Sequence, residues 1–435
     1  MRGRKRFGPI VDRVGLLTIA FGLLQSLQLA AQSDVWISKV PMLTARCCVA
    51  TGVAHGIVYV VGGTSSSGLT GTVEAYDPIT NTWSTKASIA PRSGMVGGVV
   101  DDILYVAGGF SDTGITNILE AYDPKTNTWN AKAPMPTPRV NAASAVVDGI
   151  LYVFGGFGGV NTLQFLQTVE TYDPRTDAWS SKAPMPTSRC CMAAVAVDRT
   201  LYVVGGFSTS VLNTLEVYNP EANTWGAKIP MPTPRLYLNA SVLGGLLYAV
   251  GGALTVPRSF PHGMVSTVEV YDPKSNTWSA NLPMPTPRCC AAGGVVDDTL
   301  YIAGGLGESF PTAVNEAFSP FLPIPIDLKP GEAANTLNLK SKGTVVVAIL
   351  STASFGATTV DPATVKLAGA PVATQGRGTP MTSVADLNRD GRLDLLLHFR
   401  TQDLQLTPTA TEAVLKGRTF SGQLIRGTDS IRLVP

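Results

Sequence analysis

The sequence predicts an all-β fold in which six small antiparallel sheets are arranged radially and followed by a second, β-rich domain. Tryptophan occurs six times, at intervals of 46 to 53 residues. A pair of adjacent glycines follows each of the six tryptophans by 25 or 26 residues. This combination of period, glycine and aromatic residues is typical of radial arrays of four-stranded sheets. The tryptophans are Trp36, Trp83, Trp129, Trp179, Trp225 and Trp278.

Each repeat predicts four strands in a fixed order. An arginine opens the repeat, and the second glycine of the pair follows it by 17 residues in all six copies. Segments such as Val58–Val61 and Thr72–Tyr76 have the composition of strands, and Asp77–Asn81 (Asp-Pro-Ile-Thr-Asn) has that of a turn. The tryptophan then begins the outermost strand. Length varies mainly between the glycine pair and the following aromatic residue, in a class of loops where binding residues usually lie.

These repeats resemble kelch repeats. The motifs that carry the resemblance are Pro-Arg, Leu-Tyr-Val-x-Gly-Gly and Val-Glu-x-Tyr-Asp-Pro-x-Thr-Asn-Thr-Trp, and they recur across residues 34–320. The resemblance implies a six-bladed kelch β-propeller. Intracellular adaptor roles are familiar in the family, and copper oxidases and sialic-acid epimerases occur among similar propellers.

The ends of the repeat region predict how the propeller closes. Phe318 stands where the last repeat should carry the tyrosine, and Pro325 stands where its tryptophan should follow. Trp36 lies ten residues before Arg46 and has no strands of its own ahead of it. We therefore expect the segment around Trp36 to supply the outer strand of the sixth blade, which removes the free sheet edges.

The first 31 residues predict a signal peptide. A basic start is followed by an apolar run over Val14–Leu24 and a small-residue cleavage site near Ala31. An uncleaved membrane anchor is the alternative, although the run is short for a span. Removing residues 1–31 takes away five basic residues and Asp12, so the net charge changes from +2 to −2. That charge disfavours nucleic acid as a partner. The signal peptide predicts a secreted, periplasmic or cell-surface bacterial protein without a membrane span after cleavage.

The six cysteines occur as three adjacent pairs, each directly after a repeat arginine. Three states are open: small buried thiols, disulfides within each pair, or a metal or redox site in the channel. Bridges between blades are disfavoured, because innermost strands of different blades are expected to lie too far apart. The pairs are Cys47-Cys48, Cys190-Cys191 and Cys289-Cys290.

After a linker at residues 321–325, residues 326–435 predict a β-rich domain with one chemical motif. Alternating oxygen ligands with a glycine after the third resemble calcium loops of the EF-hand or dockerin type. The twelfth position, Leu397, lacks the bidentate carboxylate, and a solvated polar turn is the alternative interpretation. The calcium ligands predicted by the resemblance are Asp386, Asn388, Asp390, the Arg392 carbonyl and Asp394.

The repeat arginines are the first candidates for a ligand site. Six guanidinium groups at one rim of the channel would attract carboxylates or sulfates, whereas the alternative is a structural pairing with neighbouring loops. Arg258 and His262, in the long loop of the fifth repeat, are further candidates. The arginines are Arg46, Arg92, Arg139, Arg189, Arg235 and Arg288.

The leading functional interpretation is a non-enzymatic binding protein that presents the loop face of the propeller to a protein or glycan. The alternative is a carbohydrate-active enzyme of the epimerase or mutarotase class, using Arg258 and His262. A copper oxidase is excluded, because His55, His262 and His398 are expected in separate places and cannot share one metal.

Overall fold

The computed structural model describes residues 35–159, 163–256, 263–308, 310–332, 334–376 and 378–434, and these form an all-β protein. The chain divides between Pro320 and Phe321 into two compact units. The first is the repeat unit, residues 35–320 of the described chain. The second, the C-terminal unit, begins at Phe321. The predicted signal peptide at residues 1–31 lies outside the described residues.

The repeat unit contains six four-stranded antiparallel sheets, here called sheets 1 to 6 in chain order. Within sheets 1 to 5 the innermost strand comes first and each strand pairs antiparallel with the next in the chain, whereas the outer strand of sheet 6 comes from the start of the described chain. The strands of sheets 1 to 3 are Ala50–Ala54, Ile57–Val61, Val73–Asp77 and Thr82–Lys86; Val96–Val100, Ile103–Ala107, Leu119–Asp123 and Thr128–Lys132; Ala143–Val147, Ile150–Phe154, Val169–Asp173 and Ala178–Lys182. Those of sheets 4 to 6 are Ala193–Val197, Thr200–Val204, Leu215–Asn219 and Thr224–Lys228; Asn239–Leu243, Leu246–Val250, Val268–Asp272 and Thr277–Asn281; Ala292–Val296, Thr299–Ala303, Asn315–Ser319 and Val35–Lys39.

Sheet 6 is completed by the first strand of the chain. Val35–Lys39 pairs antiparallel with Asn315–Ser319, and Trp36 lies opposite Phe318 in the register. The two rings pack with their centroids 5.1 Å apart. The Trp36 indole also donates a hydrogen bond to the carbonyl of Leu282, just after sheet 5. The segment around Trp36 therefore occupies the outer edge of the sheet that begins at Ala292.

Each tryptophan joins its own sheet to the sheet before it. The Trp129 indole donates to the Ala87 carbonyl at 2.7 Å, and its ring packs on Tyr122 within its own sheet. The Tyr122 hydroxyl in turn donates to Asn127, the last residue of the Asp-Pro turn. The same indole bond recurs in every sheet, so the repeated tryptophan is a packing anchor between sheets.

The C-terminal unit packs two larger sheets around one hydrophobic core that includes Val347, Leu367, Leu397 and Leu415. Residues 321–325 do not form a free linker, since Leu322–Pro323 pairs with Leu424–Ser430. The five-stranded sheet has the order Leu322–Pro323, Leu424–Ser430, Glu412–Thr419, Val360–Leu367 and Ala370–Pro371. The four-stranded sheet has the order Ile326–Leu328, Thr344–Ile349, Asp394–Arg400 and Thr382–Ala385.

Two short ladders and two short helical turns complete the C-terminal unit. The ladders are Thr336–Asn338 with Arg432–Val434 and Thr374–Gln375 with Thr379–Pro380. The turns are 3₁₀ segments at Ala357–Thr359 and Thr401–Asp403. Within the described ranges, no helix reaches the length and hydrophobicity that crossing a bilayer requires.

Candidate functional site

The six repeat arginines lie in the interior of the repeat unit and not at an open rim. Each is at most 1% exposed. Each pairs with the glutamate of the Val-Glu-x-Tyr motif or its equivalent, as in Arg139 Nη2 to Glu170 Oε2 at 2.7 Å. Burial lowers the pKa of each guanidinium from its ordinary value, while the charge of the glutamate raises it. The pairs are Arg46–Glu74, Arg92–Glu120, Arg139–Glu170, Arg189–Glu216, Arg235–Glu269 and Arg288–Glu316.

This geometry corrects the predicted ring of ligand-binding arginines. A free ligand cannot reach side chains that are enclosed by protein and already neutralised. The guanidinium groups instead hold strands together: Arg139 also donates to the carbonyls of Gly155 and Thr168. The glutamates were absent from the predicted site, although their fixed place in Val-Glu-x-Tyr was a usable signal.

The second residue after each repeat arginine forms what we call the central ring. Its six members all have positive φ, between 53° and 65°. Each backbone N–H donates to the carbonyl of the member in the preceding repeat, and Cys48 donates to Cys290 at 3.0 Å. The six hydrogen bonds, of 2.7 to 3.0 Å, thus return to their starting point. The members are Cys48, Gly94, Asn141, Cys191, Tyr237 and Cys290.

Three thiols and a phenol meet at the central ring. All six cysteines of the chain are free thiols, and Cys48 and Cys290 are partly exposed. Burial, followed by the charges of Cys191 and Cys290, raises the pKa of Tyr237 far above its ordinary value. Asn141 donates to the Tyr237 hydroxyl at 3.2 Å. The ring lines a cavity of about 100 Å³ together with the residue that follows each member.

A second cavity of about 250 Å³ adjoins the first and shares Val49, Met95 and Ala142 with it. Its lining comes from the innermost strands and consists of small and aliphatic residues with Thr51, Ser144 and Asn239. Among the described residues, this lining contains no carboxylate, histidine or lysine that could transfer a proton.

A known family model matches most of the repeat unit. A model of the KLHDC2/KLHL20/DRC7 Kelch-repeats domain matches residues 38–206 and, in an overlapping match, 130–305, which together are more than half of the chain. The chain belongs to the kelch-repeat family. Kelch repeats build β-propellers and are generally protein-binding modules. The double-glycine loops of the kelch unit are therefore the next candidates for a site.

These loops form what we call the crown: the six segments after the glycine pairs, each folded back as a small hairpin. The first arm of each hairpin pairs with the residue before the central ring, as in Cys190 with Phe207 and Leu236 with Ala253. The crown therefore surrounds the central ring. The paired arms are residues 64–65 with 68–69, 110–111 with 114–115, 157–158 with 164–165, 207 with 211, 253 with 264 and 306 with 311.

Large apolar side chains of the crown are exposed. Phe310 is 72% exposed and Leu163 63%. Phe157 and Phe207 behave differently, because both pack against Phe165 with centroids about 5.5 Å apart. The only charged residues in the described parts of the crown are Asp112 and Glu308. The exposed apolar residues are Phe110, Leu163, Leu254, Val256 and Phe310.

Arg258 and His262, the other candidate residues of the repeat unit, lie outside the described residues. So does Phe260 between them. Their loop is described at its two ends, where the backbone of Ala253 bridges Met264 and the Leu254 N–H donates to the Gly263 carbonyl at 2.8 Å.

The predicted calcium loop forms a compact turn in the C-terminal unit. Asp386 accepts backbone hydrogen bonds from Asp390 and Gly391, while Arg392 contacts Asp390 at 3.2 Å. The backbone N–H of Arg392 is the first cause that lowers the pKa of Asp390. Gly391 has φ of +83°, which a glycine adopts without strain.

Asp394 has a structural task that the sequence did not reveal. Its carboxylate is fully buried and accepts hydrogen bonds from the backbone of Ser351 at 2.8 Å and Leu387 at 3.0 Å. Among the described residues, no three His, Cys, Asp or Glu side chains are already arranged around a metal position. A cation in this loop would have to displace the Arg392 guanidinium from Asp390. The Asp386 carboxylate and the Asn388 side-chain amide would also have to rotate toward the position of the cation.

Proposed function

We propose that this chain is a secreted or cell-surface bacterial binding protein whose crown recognises a protein ligand. In this proposal the repeat unit is a six-bladed propeller closed by the strand Val35–Lys39. Pairing of that strand with Asn315–Ser319 and the cyclic hydrogen bonds of the central ring support the closure. The basic and apolar segments at the N-terminus support export.

The observation that carries the ligand assignment is the apolar character of the crown. Its exposed residues come from four different repeats, so they lie around one ring. Exposed aromatic and aliphatic residues with few charges are typical of the central part of a protein interface. The charged side chains of the described crown are limited to Asp112 and Glu308, which fits the depletion of charge at the centre of protein interfaces.

The test is a protein and glycan array probed with the chain lacking residues 1–31, followed by affinity measurement for each protein that binds. The crown variant carries Phe110→Ser, Leu163→Ser and Phe310→Ser. Because aromatic anchors usually contribute most of the binding energy, we expect it to weaken binding by tenfold or more, roughly 1.4 kcal/mol. Ile79→Ser, which changes a 91% exposed side chain in an Asp-Pro turn, is the matched control and should bind normally.

Two results would contradict this proposal. Binding of glycans alone would assign the face to carbohydrate. Protein binding that the crown variant retains, with a native melting curve, would move the site to another surface.

For the C-terminal unit we propose a weak calcium site at Asp386, Asn388, Asp390 and the Arg392 carbonyl, with Asp394 anchoring the loop. The alternating oxygen ligands support it. Extracellular calcium is roughly millimolar, so a site with a dissociation constant of about 10⁻⁴–10⁻³ M would be filled there.

A further inference from the structure

Two cysteines from opposite ends of the repeat unit meet in the central ring. Cys48 follows the arginine of the first repeat and Cys290 that of the sixth, yet the Cys48 N–H donates to the Cys290 carbonyl at 3.0 Å. With standard bond lengths, such a hydrogen bond holds the two Cα atoms within about 6.5 Å. That spacing lies inside the range that a disulfide bridges. The expectation that cysteines of different blades lie too far apart is thus wrong for this pair, because they lie on the ring and not in the innermost strands.

The Cys48 and Cys290 side chains hydrogen-bond to each other across this seam. Hydrogen bonding with the Cys290 thiol, and next with the Cys47 thiol, holds the pKa of Cys48 well below its usual range, although burial opposes this. Both residues are partly exposed and line the cavity of about 100 Å³, which opens a route for a small reagent. A partly exposed thiolate beside a second thiol is the arrangement that thiol–disulfide exchange requires.

Disulfides within the adjacent pairs are less favourable by geometry. Consecutive Cα atoms are only 3.80 Å apart across a trans peptide, which is shorter than the usual span of a disulfide of about 4.4–6.8 Å. The third ring thiol, Cys191, has no cysteine in a neighbouring position of the ring, where Asn141 and Tyr237 flank it. The ring therefore contains one pair of cysteines from neighbouring repeats.

We propose that Cys48 and Cys290 are a cross-linking site that covalently joins the first and sixth repeats in an oxidising environment. The oxidant is a small or protein disulfide. The Cys48 thiolate attacks one sulfur of that disulfide, forms a mixed disulfide and releases the first thiolate. Cys290, after losing its proton to solvent, attacks the Cys48 sulfur and releases the second thiolate. Two electrons pass to the oxidising disulfide, which leaves as two thiols after taking up the two protons that Cys48 and Cys290 release, and the chain gains one disulfide.

The disulfide would stabilise the folded repeat unit by cross-linking two neighbouring members of the central ring. In the sequence, Cys48 and Cys290 lie near the two ends of the repeat unit. A bond between them would therefore lower the conformational entropy of the unfolded chain by a large amount. It also acts at the seam between the two ends of the repeat array, where no peptide bond continues from one repeat to the next. Export to an oxidising compartment would keep the bond formed, whereas a reducing cytosol would leave it open.

The experiment is to equilibrate the chain lacking residues 1–31 with excess oxidised glutathione, alkylate free thiols and map peptides without reduction. We expect free thiols to fall from six to four per chain and one linked peptide pair to contain Cys48 and Cys290. The melting temperature of the oxidised protein should be about 5–10 °C above that of the reduced protein.

Three variants make the result decisive. Cys48→Ser and Cys290→Ser should each lose the linked peptides and melt at the same temperature with or without oxidant. Cys191→Ser removes a thiol of the same ring and should keep both the link and the shift in melting temperature. Six free thiols at equilibrium, or linkage only within adjacent pairs, would overturn the proposal. So would a link that disappears in Cys191→Ser.

Discussion

At the residue scale, the buried arginine–glutamate pairs dominate the chemistry of the repeat unit. Arg139 and Glu170 are each at most 4% exposed, so neither charge is solvated by water. Thr137 adds a hydroxyl hydrogen bond of 2.6 Å to the same carboxylate. A pair of this kind contributes little net stability compared with an apolar pair. Loss of one partner, however, leaves the other charge buried without a counter-ion.

Replacing Arg139 by methionine should therefore destabilise the protein by about 3–5 kcal/mol, since Glu170 would remain buried without a cation. Chemical denaturation measures the change. The double variant Arg139→Met with Glu170→Leu should recover most of the loss, because it removes both charges. Arg199→Ala is the control, since its ion pair with Asp148 is exposed and should contribute less than about 1 kcal/mol. Equal effects of Arg139→Met and Arg199→Ala would show that the buried pair has no special role.

The recurrence of these arginines was readable from the sequence, but their environment was not. A fixed spacing indicates that a residue has the same role in each repeat, but it does not distinguish a structural role from ligand binding. Burial depends on how the glutamate-bearing strand and the glycine carbonyls close over the guanidinium, which no local pattern reports. The approach of Cys48 to Cys290 was hidden for a related reason, since the two are neighbours only because the ends of the array meet.

At the element scale, the loop before the strand Asp394–Arg400 has a structural role and is also the proposed calcium site. Asp394 fastens the loop to the neighbouring segment at Ser351. Asp386, Asn388 and Asp390 hold the turn through backbone hydrogen bonds. The strand Asp394–Arg400 stands where an EF-hand would have its exit helix.

Calcium should stabilise the C-terminal unit if this loop binds it. At a concentration ten times the dissociation constant, a ligand specific for the folded state contributes about 1.4 kcal/mol. Calorimetric unfolding of the chain lacking residues 1–31, in calcium and in chelator, should show a higher transition temperature with calcium. Asp390→Ala should abolish the shift, and Asp403→Ala, an exposed carboxylate elsewhere in the unit, should retain it. Identical transitions in calcium and chelator would reduce the loop to a polar turn.

At the scale of the whole molecule, the repeat pattern predicted more than any single residue did. The match to the kelch-repeat family confirms the repeat class, and the order of strands in each repeat follows from its turns and alternating apolar residues. The crown was predicted only as a set of variable loops. Its exposed apolar residues could not be assigned from sequence, because Phe110 and Phe157 occupy the same position after the glycine pair and differ only in their tertiary neighbours.

The strand Val35–Lys39 should be the most consequential short segment of the repeat unit. It pairs over five positions with Asn315–Ser319, and Trp36 both packs on Phe318 and donates to Leu282. Trp83 reaches back to the carbonyl of Val40, so the same segment also joins sheet 1 to sheet 6. Its removal would leave Asn315–Ser319 as an open sheet edge next to exposed apolar surface.

Deleting residues 34–40 from a chain that already lacks residues 1–31 should lower stability by at least the cost of losing a packed aromatic side chain, about 3–5 kcal/mol. For a unit of this size that corresponds to a fall in melting temperature of about 6–20 °C, accompanied by aggregation through the unpaired edge. The comparison is with the parent chain, by calorimetry and light scattering. Trp36→Phe is the milder variant: it keeps the strand and the contact with Phe318 but loses the bond to Leu282, so it should melt between the two. A deleted chain that melts like its parent and stays monomeric would contradict closure of the propeller by this strand.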